Sequence, residues 1–328
     1  MSNDTMRTIE VTEFGYSDVL EPRERPIPQP GEGEVRIAVE AAGINYADVV
    51  QRQGAYPGGP EPPFVPGMEA AGTVDAVGPG VEHEVGDRVV AMVGNGGYAE
   101  YAISSESRLF DVPERVSFAE AAAFPVQFLT AHNCLHEWGG LESGERVLIH
   151  AAAGGVGSAA VQLASDAGAE IFATASTQAK LDLASDLGAD HTINYTETSF
   201  ADEIQDATDG QGVDMVLDGV GGETFDESLE CLSHFGRVVA YGAASGMPGS
   251  IDTGTLLFAN HSVIGFHLGQ AMARDPARIL RGAPTIAEIA ENADIGLTVG
   301  ARFDLEDAAD AHDAIQNRET TGKVVLEP

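Results

Sequence analysis

The stretch "RVLIHAAAGGVGSAAVQLA", Arg146 to Ala164, runs from aliphatic residues through a cluster of glycines into a second, small-residue apolar segment. "RVLIH" has the length and character of a buried strand, and "GSAAVQLA" that of a packed helix. Gly154, Gly155 and Gly157 stand at the join, in the spacing A-x-x-G-x-x-G from Ala151. The N-terminus of a helix carries unpaired N–H groups and the positive end of its dipole, so an anion docks there when no side chain blocks it. Glycine permits that approach and the tight turn before it. Ala153, Gly154, Gly155, Val156 and Gly157 are therefore candidate contacts to the pyrophosphate of a dinucleotide. The alternative reading is a merely structural tight turn.

The surroundings supply the context such a turn needs. Downstream, "EIFATAS" leads to "QAKLDLASDLG", "HTIN" to "SFADEIQDAT", "VDMVLD" to "GETFDESLECLS", and "RVVAYG" to another glycine-containing loop. Short strands alternating with helices predict a parallel, doubly wound sheet. Upstream, "RTIEVTEF", "GEVRIAVEAAG", "AAGTVDAVG", "GDRVVAMV" and "GGYAEYAI" are short runs bounded by Gly and Pro, which predict a β-rich domain. "SFAEAAAFPVQFLTAHNCLHEW" reads as two helical pieces split at Pro125, and the tail after "SVIGFHL" is mixed again. The expected organisation is a first β-rich part over residues 1–123, a nucleotide-binding domain over 124–264, and a return to the first domain over 265–328.

Composition narrows the chemistry. The 328 residues hold 52 acidic against 17 basic side chains, a formal charge of −35. Nucleic acid and anionic membrane are poor partners for such a surface. Molar salt shortens the Debye length to about 3 Å and relieves the self-repulsion, so the balance suggests a salt-loaded cytoplasm. The N-terminus lacks a signal-peptide plan, and Cys134 and Cys231 are too few for a disulfide framework. His132 and His136 have the i,i+4 spacing of a shared metal site, but no third-ligand pattern accompanies them, and helix packing is the plainer reading.

Against that acidity, "TASTQAK" (Thr174–Lys180) contains no acid and carries Lys180, one of only two lysines in the chain. In an NAD-binding unit an acid about 20 residues beyond the glycine turn hydrogen-bonds the ribose 2′-hydroxyl. Counting from Gly157 reaches Ser176. Ser176, Thr177 and Lys180 suit a 2′-phosphate instead, with a charge-assisted bond of about 1.5–3 kcal/mol favouring NADPH over NADH by roughly 10- to 100-fold. The other reading of Lys180 is a solvated helix residue.

"GINYADVVQRQGAYP", "PFVPGMEAAGTVDAVGPGV", "GDRVVA", "GGYAEY", "AAAGGVG", "GADHTINY", "GVDMVLDGVGG", "GRVVAYGAASG" and "TGKVVLEP" follow one another along nearly the whole chain. As a set they resemble the zinc-free medium-chain dehydrogenase/reductases, in the quinone oxidoreductase branch that includes zeta-crystallin. The resemblance implies an α/β protein with a Rossmann domain between the two parts of a GroES-like β-rich catalytic domain. The zinc ligands of the alcohol dehydrogenase relatives fall at Asn45 and Met68, neither a plausible zinc ligand, so no catalytic metal is expected.

The same resemblance implies that Asn45, Tyr46 and Tyr56 surround the nicotinamide and substrate, with Thr130 near the carboxamide. Asn45 and Tyr46 have the chemistry to donate hydrogen bonds to a carbonyl oxygen gaining negative charge. Tyr195 would lie beside the adenosine phosphate opposite Lys180. Val220, Gly242 and Ala243 would follow later strands, and Gly265, Phe266 and Lys323 would close over the nicotinamide half. The implied activity is hydride transfer from NADPH to a quinone; the alternatives are reduction of enones, enals or enoyl thioesters, and a non-catalytic NADPH-binding role. The family usually forms homodimers through edge strands, for which "HSVIGFHL" is the candidate, with tetramers as the alternative.

Overall fold

A computed structural model describes residues 4–291 and 296–328. The chain opens with the hairpin-like pair β1 (Thr5–Val11) and β2 (Leu20–Pro26), followed by the long strand β3 (Glu34–Ile44). Asn45 follows that strand as the N-cap of α1 (Tyr46–Arg52), its backbone N–H donating to the Asp48 carboxylate at 2.8 Å. This is the reciprocal half of a capping box, which satisfies a donor the helix start leaves open. Next come β4 (Glu69–Val77), β5 (Arg88–Met92), β6 (Tyr101–Ser105), β7 (Leu109–Asp111) and the short α2 (Phe118–Ala121), whose Ser117 and Glu120 form a complete capping box. Pro125 opens α3 (Pro125–His132), as expected of a residue that donates no N–H.

The alternating region then follows in chain order: β8 (Arg146–Ile149), α4 (Gly155–Asp166), β9 (Glu170–Ala175), α5 (Gln178–Asp186), β10 (His191–Asn194), α6 (Phe200–Ala207), β11 (Val213–Asp218), α7 (Gly222–Ser228), β12 (Leu232–Ala240), α8 (Thr253–Ala259) and β13 (Ser262–Gly265). Its six strands are all parallel, in the order β10-β9-β8-β11-β12-β13. This is the doubly wound order in which the sheet reverses between its first and fourth strands, here β8 and β11. Leu148, Phe172, Val216 and Val238 are buried at its centre, with Phe200 and Ile204 of α6 packed on them.

Three further helices, α9 (Leu268–Arg274), α10 (Pro276–Ile279) and α11 (Ala283–Glu291), precede β14 (Val299–Asp304), α12 (Ala308–Gln316) and β15 (Lys323–Glu327). The sequence predicts one helix across "PARILRGAPTIAEIAENA"; it breaks at Gly282, where an added Cβ would stand 2.3 Å from the His132 ring. The final strands join a seven-stranded sheet, β14-β15-β3-β4-β5-β7, with β6 alongside β3. Within it Val324 pairs with Ile44, so the last strand of the chain lies beside the strand that leads into Asn45.

The chain forms two compact units, Met1–Val126 with Leu297–Pro328, and Gln127–Gly296. The return to the β-rich unit therefore comes at residue 297, about thirty residues later than the expected 265. The reason is that 265–291 packs on the nucleotide-type unit. Asn133 Nδ2 donates to the Ile279 carbonyl at 3.1 Å, and the Arg278 guanidinium lies 3.9 Å from the centre of the Trp138 ring. Among the described residues no helix is long and apolar enough to cross a membrane.

Candidate active site

In the doubly wound unit the glycine turn leaves β8 and enters α4 at Gly154, the N-cap. Gly157 is required by close packing: a Cβ there would stand 2.2 Å from the Ala151 carbonyl oxygen, a backbone atom that cannot swing away. Ala151 itself takes φ 49°, so the turn is tight on both sides. Ala153 is buried, and Gly154, Gly155 and Val156 are half-exposed at the helix start. A 12-residue helix thus presents its N-terminus bare of side-chain caps, which suits a pyrophosphate.

The other loops gather at the same edge of the sheet. After β11, buried Asp218 accepts from the N–H groups of Val220 at 2.7 Å and Gly221 at 3.0 Å. Gly242 cannot carry a side chain without pressing on the Gly219 carbonyl, 2.8 Å from its would-be Cβ, and Ala244 N–H donates to that carbonyl at 3.0 Å. The loops bearing Val220 and Gly242–Ala243 are thereby laced together. Phe266 N–H donates to Ala240 O at 2.9 Å, which sets Gly265 and Phe266 beside them, and the Phe266 ring packs edge-on against Trp138. Thr130 is buried on α3.

The acid-free segment sits at the carboxyl end of β9. Ser176 is half-exposed, and Thr177 is the N-cap of α5 with its side chain making no cap bond. Lys180 lies in the first turn of that helix. Tyr195 follows β10, the neighbouring strand, and its N–H donates to Ala175 O at 3.3 Å. Ser176 and Tyr195 are therefore held at the ends of adjacent strands, with Tyr195 partly exposed.

The β-rich unit contains a second polar assembly, buried where a core would ordinarily be apolar. Asn45 Oδ1 accepts from Lys323 Nζ at 2.9 Å, while its Nδ2 donates to Glu69 Oε1 at 2.9 Å. Lys323 and Glu69 also pair directly, both side chains being inaccessible to solvent, and Glu69 Oε2 accepts from Val126 N–H at 2.8 Å. An ammonium can only donate and a carboxylate can only accept, so these partners fix which end of the Asn45 amide is oxygen. Among the described residues the second N–H of the amide has no partner. Lys323 thus bonds to both Asn45 and Glu69 inside the β-rich unit.

Tyr46 is partly exposed at the start of α1, and Tyr56 is half-buried in the loop after it. Burial, with the Asp48 carboxylate close enough to act on it, pushes the Tyr56 phenol up to about 12. The sequence reading missed Glu69, Asp48, Tyr98 and His312. Glu69 adjoins Met68 inside the apolar run "PGMEAAG", and Asp48 stands three residues after Asn45 at capping-box spacing; those two signals were available. Nothing local marks Tyr98 or His312. Around them Asp48 Oδ1, Gln51 Oε1, Arg52 Nε and Nη1 and His312 Nδ1 are buried with no hydrogen-bond partner among the described residues. Each such atom costs about 1–3 kcal/mol if left dry.

Among the described residues no group of three or more His, Cys, Asp and Glu is arranged to hold a metal ion. The rings of His132 and His136 lie 4.8 Å apart. Burial lowers both imidazoles, His132 to about 4, with His136 lowering it further.

Residues 31–114 match the model of the alcohol dehydrogenase GroES-like domain, and residues 155–281 that of the zinc-binding dehydrogenase domain. A quinone oxidoreductase of Pseudomonas aeruginosa is 36% identical, the match covering 98% of this chain and 99% of that protein. The Escherichia coli quinone oxidoreductase, solved in complex with NADPH, superposes with a TM-score of 0.91 at 32% identity, covering 98% of this chain and all of that one. A mycobacterial protein, also solved with NADPH, gives a TM-score of 0.92 at 39% identity over the same shares. The fold and its loops thus define an oxidoreductase built from a GroES-like and a Rossmann domain. The chain belongs to the zinc-free medium-chain dehydrogenase/reductases, in the quinone oxidoreductase family.

Proposed function

We propose that this protein is an NADPH-dependent, metal-independent quinone oxidoreductase. The observation that carries the reading is the Asn45 amide, clamped between Lys323 and Glu69 with one N–H to spare. A donor already held in place stabilises developing negative charge without reorganising, which is how an oxyanion site accelerates a reaction. NADPH, when bound, supplies the hydride. The glycine turn at Ala153–Gly157 would hold its pyrophosphate. Ser176 and Lys180 would hold the 2′-phosphate, with Tyr195 beside the adenosine.

Thr130, Val220, Gly242, Ala243, Gly265 and Phe266 would line the rest of the cofactor path. Asn45 and Tyr46 would hold the acceptor carbonyl. A phenol near 12 keeps its proton at neutral pH, so Tyr56 would meet the product anion as a hydrogen-bond donor. Lys323, through Asn45, sets the direction of the amide.

Initial rates in molar KCl, crossing NADPH and NADH with an ortho-quinone and an enone, test the reading. Fast quinone reduction with NADPH is the expected result. Enone turnover without quinone turnover would move the protein to the alkene reductases, and no turnover with either would leave a cofactor-binding protein. The proposed partners are thus NADPH, a small electrophile and a second copy of the chain.

A homodimer is the proposed assembly, and what supports it is β13, which among the described residues ends the parallel sheet with a neighbour on one side only. Val263 on that strand is partly exposed, and Leu257 and Phe258 of α8 are exposed at 75% and 86%. Open strand edges and apolar patches call for covering. Sedimentation equilibrium should return twice the 34.2 kDa chain mass, and Val263→Lys should shift it toward the monomer.

A further inference from the structure

The ladder between β8 and β9 ends at the pair Ile149 and Ala173, where the strands lead into the glycine turn and the acid-free turn. Two hydrogen bonds continue the connection beyond it. Ala152 N–H donates to the Thr174 carbonyl at 3.0 Å, and the Thr174 hydroxyl lies 2.9 Å from His150 Nδ1. His150 is the residue between the strand and the turn, and it is buried. Its own N–H donates to the Leu217 carbonyl of β11 at 3.3 Å.

The partners of the imidazole fix its state. His150 Nε2 lies 2.8 Å from Ser228 Oγ, at the end of α7, and that hydroxyl donates its one proton to the Thr224 carbonyl at 2.6 Å. Ser228 Oγ can therefore only accept from the ring. Nε2 carries the ring proton, and Nδ1 accepts from the Thr174 hydroxyl. Phe200 of α6 packs edge-on against the ring, with centroids 4.8 Å apart. Burial lowers the imidazole to about 3, so it is neutral near pH 7 and this pattern of donor and acceptor holds. The next residue, Ala151, takes φ 49°, a left-handed conformation that an alanine keeps only where its surroundings hold it. His150 anchors that residue on the strand side.

We propose that His150 is a positioning residue for the cofactor: through Thr174 it fixes the spacing between the turn that takes the pyrophosphate and the turn that takes the 2′-phosphate. The inference rests on the reading that Ala153–Gly157 and Ser176–Lys180 hold those two groups. Thr174 stands two residues before Ser176 and His150 three before Ala153, so one side-chain bond joins the roots of both turns. NADPH addresses both turns at once, and its affinity gains from finding them already at the right separation. NADH lacks the 2′-phosphate, and adenosine 2′-monophosphate lacks the pyrophosphate. Each presents a phosphate group to one turn only, so neither draws on the spacing.

Thr174→Val keeps the shape of the side chain and removes the hydroxyl, whereas Thr174→Ser keeps the hydroxyl. Ser228→Ala removes the other partner of the same ring and leaves the Thr174 bond in place. The full chain is titrated calorimetrically in molar KCl with NADPH, NADH and adenosine 2′-monophosphate, and each variant is melted without ligand. Thr174→Val and Ser228→Ala should both melt below wild type, since each leaves a buried ring nitrogen unpaired. Only Thr174→Val should bind NADPH more weakly, by about tenfold, the scale of one net hydrogen bond, with the two single-turn ligands within about twofold. Ser228→Ala should keep all three affinities near wild type, and Thr174→Ser should restore NADPH binding. In quinone reduction, the KM for NADPH should rise in Thr174→Val with kcat at saturation unchanged. Unaltered NADPH affinity in Thr174→Val, or a proportionate loss of all three ligands, would overturn the positioning role and leave the two phosphate turns standing. A wild type that binds NADPH no more tightly than NADH would overturn the assignment of the 2′-phosphate turn and this inference with it.

Discussion

Lys323→Met is expected to destabilise the protein by about 3–5 kcal/mol, because it leaves the fully buried Glu69 carboxylate without its cation. The effect is large against a total stability of about 5–15 kcal/mol. It should be read as a fall in the urea midpoint of the β-rich unit. The double variant Lys323→Met, Glu69→Leu removes both charges at once, and most of the loss should return, since an apolar pair replaces a desolvated ionic one. Activity should not return with it. The Asn45 amide would have lost both partners that fix its direction, and kcat/KM is expected to stay at least about tenfold low. If the double variant recovers stability and rate together, the ion pair is a packing element with no part in orienting Asn45.

Lys180→Ala is the second large effect. If Lys180 holds the 2′-phosphate as proposed, loss of that charge-assisted bond should weaken NADPH by roughly 10- to 100-fold while leaving NADH within about twofold. Titrating each nucleotide by tryptophan or nicotinamide fluorescence separates the two. Equal losses would show that Lys180 acts through the fold of α5 and not on the phosphate. The measurement belongs in molar salt. With a net charge of −35, long-range repulsion of an anionic cofactor is strongest in dilute buffer and would otherwise overlay the local contact.

Both predictions concern lysines in a chain that has only two, and the two were differently legible. Lys180 is read from a local rule: the strand–turn–helix frame fixes where a second-strand acid belongs, and its absence is visible in a single line of text. The placement of Tyr195 at the end of β10 follows the same frame, because adjacent parallel strands bring their carboxyl ends together. Lys323 is different. Its partners lie 278 and 254 residues away, at Asn45 and Glu69, and no periodicity connects them. Only the pairing of β15 with β3 brings them within reach.

The amino-acid sequence by itself determined the class of this protein. Strand and helix periods are local, glycine requirements are local, and the order of motifs along the chain was enough to predict a doubly wound sheet beside a β-rich domain. It also made visible the acid-free turn that follows β9. The tertiary structure alone decided which side chains share a dielectric. Asp48, Glu69, Tyr98, His312 and Lys323 each read as an ordinary polar residue of a strand or helix, yet the fold removes all five from water. Proton affinity depends on what surrounds a group in space, and those surroundings are assembled from both ends of the chain. The point where the second unit gives way to the first was fixed in the same way, by the packing of residues 265–291 on the nucleotide-type unit.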